Sequence, residues 1–495
     1  MRSLMHYFVT SVRWSSLFML LTSHAFAQSH LTEAIDSALS RSCLDRNQTA
    51  VSIVALPSDK VVYERNPQTS LLPASVMKVV TTAAALHYLD PEFRFKTDVL
   101  YSGERVGDTI RGDLIIRGGG DPKLSPAHLW HIAMILKQRG INTINGRLVA
   151  DVHFFDSLDR APSWEPDEGV QRAYNAKLGA LSVNYNVVSI HVGPGSRVGA
   201  PLSVWLEPNP MYLSVRNSGR TVNHGRSSYS TTQHAEGDNQ VFIQVNGTFP
   251  IDAAERIVYR SIKNPTRYAT ETFRAYLQQV GIQITGESTV GLTPLNATLL
   301  YTHESSPLSL ILKELNTYSN NFIAEQLVKT IAAKRGGMHG SHAEGLKLVK
   351  NFLRSSGVDM QGVNLVDGSG LSRQNQFTTR AMTDLLTKMY HRFDIGPDFM
   401  SVLRVMGAEG APSSRFKNSP AGGHIRAKTG TLAGVSTLVG YVETPDNQVF
   451  AYALFLNRNR CGHSGADAVE NSIVNAIYEF GNGVSTQLSR VTFQQ

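Results

Sequence analysis

The sequence predicts an α/β domain interrupted by a large β-rich insertion, and three observations carry that reading. Two strand-like runs and a buried helix stand near the front. Helical segments, three consecutive strand-like runs and a last helix stand at the back. Between about Phe93 and Tyr259 the texture differs: short β-rich runs are punctuated by Gly, Asn and Pro. The expected boundaries are 28–91 and 260–495 for the interrupted domain and 92–259 for the insertion. The insertion reads as one or two β-rich units, with two nested subdomains preferred. A chain of 495 residues, 42% hydrophobic and 18% charged, has apolar mass for more than one core. At about 150 residues per domain the length allows roughly three.

The front of the chain reads as a secretory leader over residues 1–27. Arg2 and Arg13 make a positive start, Leu17 to Leu21 a short apolar run, and Ala25-Phe26-Ala27 a small-residue cleavage site. That run is too short to span a bilayer, and no later segment reaches about 18 uninterrupted apolar residues. The expectation is an exported, soluble, periplasmic protein. Its net charge of +7 falls to +5 without Arg2 and Arg13. That is a mild basic bias, allowing a weak attraction to an anionic polymer or membrane surface. No Lys/Arg run with interleaved aromatics suggests nucleic acid. Cys43 and Cys461 lie near opposite ends of the exported chain. They read either as two buried thiols or as a bridge closing a very long loop, if the two ends pack together.

In order, Leu31 to Arg41 reads as an amphipathic helix, and "TAVSIVAL" and "KVVYE" as a β-hairpin around Pro57-Ser58-Asp59. "LPASVMKVVTTAAALHYL" is a buried helix ending before Pro91. The insertion has one good helix, "PAHLWHIAMILKQRG". Helical periodicity returns from about Thr266 through "ATETFRAYLQQVG", "LSLILKELNTYSNNFIAEQLVKTIAAK" and "GLKLVKNFLRSSG". "HIRAKTGTL", "GVSTLVGYVET" and "QVFAYALFLN" are the three strands, and "ADAVENSIVNAIYEFG" the last helix.

Nucleophilic acyl transfer needs a hydroxyl, a base within hydrogen-bond reach and an oxyanion site. Neither a Gly-x-Ser-x-Gly elbow nor a His-Glu-x-x-His zinc helix occurs. "GPGSRVG" at Gly193 has the wrong spacing for a dinucleotide loop, so no cofactor is expected. Ser-x-x-Lys occurs twice. Ser414 to Lys417 sits in a polar, turn-rich loop, whereas Ser75 to Lys78 opens an apolar helix, where positions i and i+3 share a face. Free N–H groups and the helix dipole favour negative charge there, and an apolar setting would depress the lysine pKa toward that of a base. Ser-x-Asn also occurs twice. Ser182 to Asn184 lies in the insertion; Ser319 to Asn321 interrupts a long helical pattern, either as a plain helix–helix turn or as a loop projecting a hydroxyl and an amide into a cleft. Lys428-Thr429-Gly430 occurs once, in a predicted strand, where glycine lets a substrate backbone approach.

Each motif is common alone. In this order, each in its expected element, they form the set of penicillin-binding proteins and serine β-lactamases. The chain further resembles the D-alanyl-D-alanine carboxypeptidase/endopeptidase family, the class C low-molecular-mass penicillin-binding proteins of the penicillin-binding protein 4 type. The resemblance spans essentially the whole exported chain. It rests on "LPASVMKVVTTAAAL", the long insertion, "YSNNFIAEQL", "DGSGLSR", "AKTGTLAGVSTLVGYV" and "GDLIIRGGGDPKL".

The resemblance implies a β-lactamase/DD-peptidase-like fold, a central antiparallel sheet flanked by helices. It implies that Ser75 attacks the penultimate D-alanine carbonyl, Lys78 takes its proton and Ser319 relays a proton to the leaving amine. Asn321 would hold the substrate amide, while Lys428, Thr429 and Thr431 bind the terminal carboxylate beside Gly430. The backbone N–H groups of Ser75 and Thr431 would form the oxyanion hole, and no metal is needed. "SWEPDEG" offers Asp167, or else Glu168, to face the diamino acid of the substrate; an exposed acidic loop is the plain alternative. "DGSGLSR" reads as a loop near the site, though Asp367 and Ser369 could equally be turn residues. The expected partners are peptidoglycan stem peptides, with β-lactams as covalent inhibitors. The nearest rival is a serine β-lactamase, but the stretch from Ser319 to Lys428 lacks the Glu-x-x-Leu-Asn of class A enzymes. A catalytically silent wall-binding or drug-sensing module is the second rival. Oligomeric state and the balance of carboxypeptidase against endopeptidase activity are left open.

Overall fold

The computed structural model describes residues 28–161, 164, 172–236, 240–337, 339–409 and 414–492, without the side chains of 235–236 and 481–492. The leader 1–27 and the pair Asp167 and Glu168 lie outside the described residues. The chain forms two compact units: the first comprises residues 1–87, 312–319 and 349–495, the second residues 88–311 and 320–348.

The first unit is built on a six-stranded antiparallel sheet. Its order is Arg404–Met406, Ile425–Leu432, Val435–Glu443, Val449–Asn457, Thr49–Leu56 and Lys60–Arg65. The three consecutive strands and the front hairpin thus join in one sheet, with Val51 opposite Leu454 and Lys428 opposite Val439. One face is covered by a helix over residues 28–39 and by the helix Gly462–Thr492. Leu31, Ile35 and Leu39 pack there with Val469, Ile473 and Ile477 over Ile53, Leu438 and Leu454. On that side a disulfide joins Cys43 to Cys461, 418 positions apart. The helix Thr379–His391 lies along the sheet through Tyr441 Oη, which donates to the Leu386 carbonyl at 2.6 Å, and a Ser52–Thr383 hydroxyl pair at 2.9 Å. The helix Met77–Leu89 is apolar nearly all round and accordingly buried, Val79, Val80, Ala83 and Ala84 having no exposed surface.

Among the described residues the second unit holds a five-stranded mixed sheet, three further small sheets and two large apolar cores. Residues 260–311, which helical periodicity groups with the catalytic segment, lie in this unit. The reason is packing: the helix Pro265–Gln279 shares its core residues Ala269, Phe273 and Leu277 with Leu129, Ile132 and Leu136 of the helix Pro126–Gln138. Among the described residues no helix is long and apolar enough to cross a membrane.

Candidate active site

Pro73 leads into one 3₁₀ turn, Ala74–Val76, and the α-helix Met77–Leu89 starts directly after it. Ser75 therefore sits in the tighter turn rather than in the helix, still three residues below Lys78. Lys78 Nζ donates to Ser75 Oγ at 3.1 Å and to the Ser369 carbonyl at 2.6 Å. Lys78 is 0% exposed while Ser75 is half-buried. The hydroxyl is thus reachable, and the amine beside it is not. Ala74 holds a left-handed backbone, φ 48°, a conformation that costs a non-glycine residue about 1–2 kcal/mol. Its neighbours impose it. Thr437 Oγ1 donates to the Pro73 carbonyl at 2.9 Å. Gly370, itself at φ +78°, presses against Ala74 so closely that a Cβ there would meet the Ala74 carbonyl oxygen at 1.8 Å. Backbone strain of this kind collects at functional positions.

The "DGSG" loop is held from inside by Asp367, which is fully buried. Its carboxylate accepts from Gly370 N (2.7 Å), Ser372 N (2.7 Å) and Asn375 Nδ2 (2.6 Å). These bonds set the loop so that the Gly368 carbonyl accepts from Thr81 Oγ1 at 2.6 Å and the Ser369 carbonyl faces Lys78. Asp367 is a turn residue, and the turn serves the site. Ser369 offers its backbone oxygen to the Lys78 amine.

The helix Leu308–Tyr318 stops at Ser319, whose φ of 55° reverses the chain, and Asn320 caps the next helix, Asn321–Arg335, by accepting from Ile323 N at 3.1 Å. Asn316 anchors the first of these helices by donating to Thr82 Oγ1 at 3.0 Å. Arg404 donates to the Thr317 carbonyl. Lys428, 2% exposed, donates to Ser319 Oγ at 2.9 Å and to the Thr429 carbonyl at 2.6 Å. Its pKa is pushed well below the usual lysine value, first by burial and then by the charges of Lys78 and Arg404.

The strand Ile425–Leu432 lies against the turn that carries Ser75. A Cβ on Gly430 would come within 2.3 Å of Thr437 Oγ1, 2.8 Å of Ser75 N and 3.0 Å of Val76 N. Glycine is required there because two backbones touch. Thr429 is half-buried, and Thr431, at the open end of the strand, is exposed and lines a cavity of about 320 Å³ with Ser436 and His463.

The first unit therefore brings together Ser75, Lys78, Ser319, Lys428, Thr429, Gly430 and Thr431. Asn321 lies in the second unit, where its Nδ2 donates to the Tyr174 carbonyl at 3.1 Å. Of the duplicate motifs, Ser414 and Lys417 are exposed and close a turn through Lys417 N and the Ser414 carbonyl at 3.1 Å. Ser182 Oγ is spent on the Gly179 carbonyl at 2.8 Å. Among the described residues no group of three or more His, Cys, Asp or Glu is placed to hold a metal ion. Sequence reasoning missed Arg404 and Thr437, for which no local motif exists.

The model of the D-Ala-D-Ala carboxypeptidase 3 (S13) family matches residues 31–478. The chain belongs to this family. A D-alanyl-D-alanine carboxypeptidase of Actinomadura sp. is 32% identical over 479 residues, covering 93% of this chain and 87% of that protein. The crystal structure of penicillin-binding protein 4 from Haemophilus influenzae shares the fold with a TM-score of 0.77 at 23% identity, over 90% of this chain and 99% of that one. The same protein complexed with a β-lactam gives a TM-score of 0.73 at 24% identity, over 90% and 98%. The chain is a serine-type D-Ala-D-Ala carboxypeptidase, and its first unit carries the sheet and helices of that class.

Proposed function

We propose that this carboxypeptidase acts through an acyl-enzyme on Ser75, and that it is a periplasmic enzyme acting on peptidoglycan stem peptides. The observation that carries the proposal is the 3.1 Å contact of a fully buried Lys78 Nζ with the accessible Ser75 Oγ. With the amine neutral, the same contact lets the hydroxyl donate, so Lys78 takes the proton as Oγ adds to the carbonyl of the penultimate D-alanine. The Ser369 carbonyl orients the amine and favours the ammonium that results. Backbone N–H groups of Ser75 and Thr431 stabilise the oxyanion. Ser319, held by Lys428, passes a proton to the departing D-alanine amine, and water then releases the acyl group from Ser75.

Lys428 rests on two uncharged acceptors, and a substrate carboxylate supplies a countercharge that favours its ammonium form. Thr429 and Thr431 complete that carboxylate site. Asn321 for the substrate amide and Asp167 for the diamino acid are assigned through sequence resemblance alone. A β-lactam, opened by the same attack, leaves Ser75 acylated; the complex of the H. influenzae relative supports this. Cleavage of D-Ala–diamino acid cross-links, the endopeptidase reaction, uses the same acylation with a larger leaving amine.

The test is digestion of purified muropeptides with mass analysis. Loss of one D-alanine from pentapeptides supports the carboxypeptidase reading, and splitting of cross-linked dimers the endopeptidase one. Ser75→Ala should abolish both. Peptidase activity unchanged in Ser75→Ala would remove the mechanism. Nitrocefin turnover faster than D-alanine release would make the chain a β-lactamase instead.

A further inference from the structure

The second unit carries a flat aromatic face that the peptidase chemistry does not use. In the three-stranded antiparallel sheet Ser203–Glu207, Val187–Gly193 and Arg256–Ser261, alternate residues share a face. Ile190, Val192 and Leu206 point into the core. On the other face the register aligns Trp205, His191 and Ile257 in one row and Glu207, Ser189 and Tyr259 in the next. Trp205, Ile257 and Tyr259 are 46%, 47% and 50% exposed, unusual for three large residues side by side.

Trp205 is not loose. Its ring stacks flat on His191, with centroids 3.4 Å apart and planes 15° from parallel. Its Nε1 donates to Glu255 Oε2 at 3.1 Å, and Glu255 Oε1 is 2.8 Å from His191 Nδ1. His191, 6% exposed, is almost completely covered. The indole is thus fixed in place, its N–H already satisfied and its outer face turned to solvent. Ordering it on binding costs little. The two rows lie about 7 Å apart along the strands.

The edge strand of this sheet bridges to the segment that carries Tyr174. Arg172 pairs with Arg260, next to Tyr259, and is followed two residues later by Tyr174, 49% exposed, whose carbonyl accepts from Asn321.

We propose that Trp205, with Ile257 and Tyr259, is a docking platform for the amino-sugar glycan strand of peptidoglycan. The proposal rests on peptidoglycan being the substrate. The apolar face of a sugar ring stacks on a fixed indole, and its hydroxyl and acetamido N–H groups are donors for acceptors at the rim, Glu207 and the Tyr259 hydroxyl. Glu207 and Glu255 set carboxylates beside His191, and Arg256 and Arg260 flank Ile257 and Tyr259 on one strand, so the sheet carries both signs rather than the uniform positive charge that an anionic lipid surface selects. Glu255, already engaged by His191 and Trp205, is not free to select a cation. Holding the strand raises the local concentration of the stem peptides attached to it.

The test uses the exported chain as it stands. Chitohexaose should change the tryptophan fluorescence of the wild type in a saturable way. Trp205→Ala should abolish that change and weaken pelleting with purified sacculi about tenfold, while Trp205→Phe retains part of both. Release of D-alanine from a soluble pentapeptide should stay at the wild-type rate in Trp205→Ala, which also shows that the variant folds. Ser75→Ala should pellet like wild type, separating failure of the platform from failure of the peptidase reading. Equal pelleting of wild type and Trp205→Ala, or binding of oligolysine in place of chitohexaose, would overturn the proposal.

Discussion

Lys428 donates to Ser319 Oγ at 2.9 Å from a position that is almost fully buried, and its second acceptor, the Thr429 carbonyl at 2.6 Å, is also uncharged. A lysine in such a place holds its proton poorly, and Lys78 and Arg404 lower its pKa further. Between that lowered value and the ordinary 10.5 the folded chain has released a proton that the unfolded chain keeps. Stability therefore increases as pH rises through that window, and the cost of the buried charge is present in full below it. Lys428→Met should remove this dependence. Its advantage over the wild type in denaturant unfolding should be largest at low pH and shrink as pH rises toward the ordinary lysine value of 10.5. D-alanine release should fall by about 10²–10³-fold. A stability difference that is flat across that range would mean that Lys428 titrates normally.

Asp367→Asn leaves the fold's apolar packing alone and disturbs one loop. The amide cannot accept from Gly370 N, Ser372 N and Asn375 Nδ2 together, so about 2–3 kcal/mol of charge-assisted bonding is at stake. The Ser369 carbonyl should shift from Lys78, slowing β-lactam acylation of Ser75 by about tenfold or more. Stopped-flow acylation read beside thermal melts checks this. A variant that melts earlier but acylates at the wild-type rate would show Asp367 to be a brace only.

Gly430→Ala places a methyl where Ser75 N and Val76 N already stand, at 2.8 and 3.0 Å. The strand and the turn that carries Ser75 must separate. Acylation should drop by about 10²-fold, as displacements of an ångström do. Unfolding measured on the same samples should show a cost of about 1–3 kcal/mol. Wild-type acylation in this variant would refute the tight contact between strand and turn.

Replacing Cys43 and Cys461 together by serine opens a closure of 418 positions. Stability of the oxidised protein should fall by about 2–4 kcal/mol. D-alanine release at low temperature should be little changed, because neither cysteine touches the Ser75 cluster. The wild type under strong reductant should melt like the double variant, a comparison that calorimetry makes directly.

Much of this molecule was legible residue by residue. The strands at 425–432, 435–443 and 449–457, the front hairpin and the buried helix 77–89 follow from alternation and apolar runs, which depend on neighbours a few residues away. The motif order picked Ser75 over Ser414 and Ser319 over Ser182; in the structure Ser414 is exposed in a turn and Ser182 donates its hydroxyl to the Gly179 carbonyl. Other features were not legible. Helical periodicity alone groups residues 260–311 with the catalytic segment, yet Phe273 and Leu277 find their partners on the helix 126–138. The left-handed turns at Ala74 and Ser319 have no glycine to announce them.

Composition and local pattern were enough to specify the secondary structure around the site and the class of chemistry, because each of these needs only short-range periodicity or a motif. Which groups meet Lys78 and Ser75 required the fold. The Ser369 carbonyl, Gly430 and Thr437 arrive from positions roughly three hundred residues or more along the chain. Only burial of the sheet and its helices, whose energy is collective and non-directional, brings them within hydrogen-bond distance.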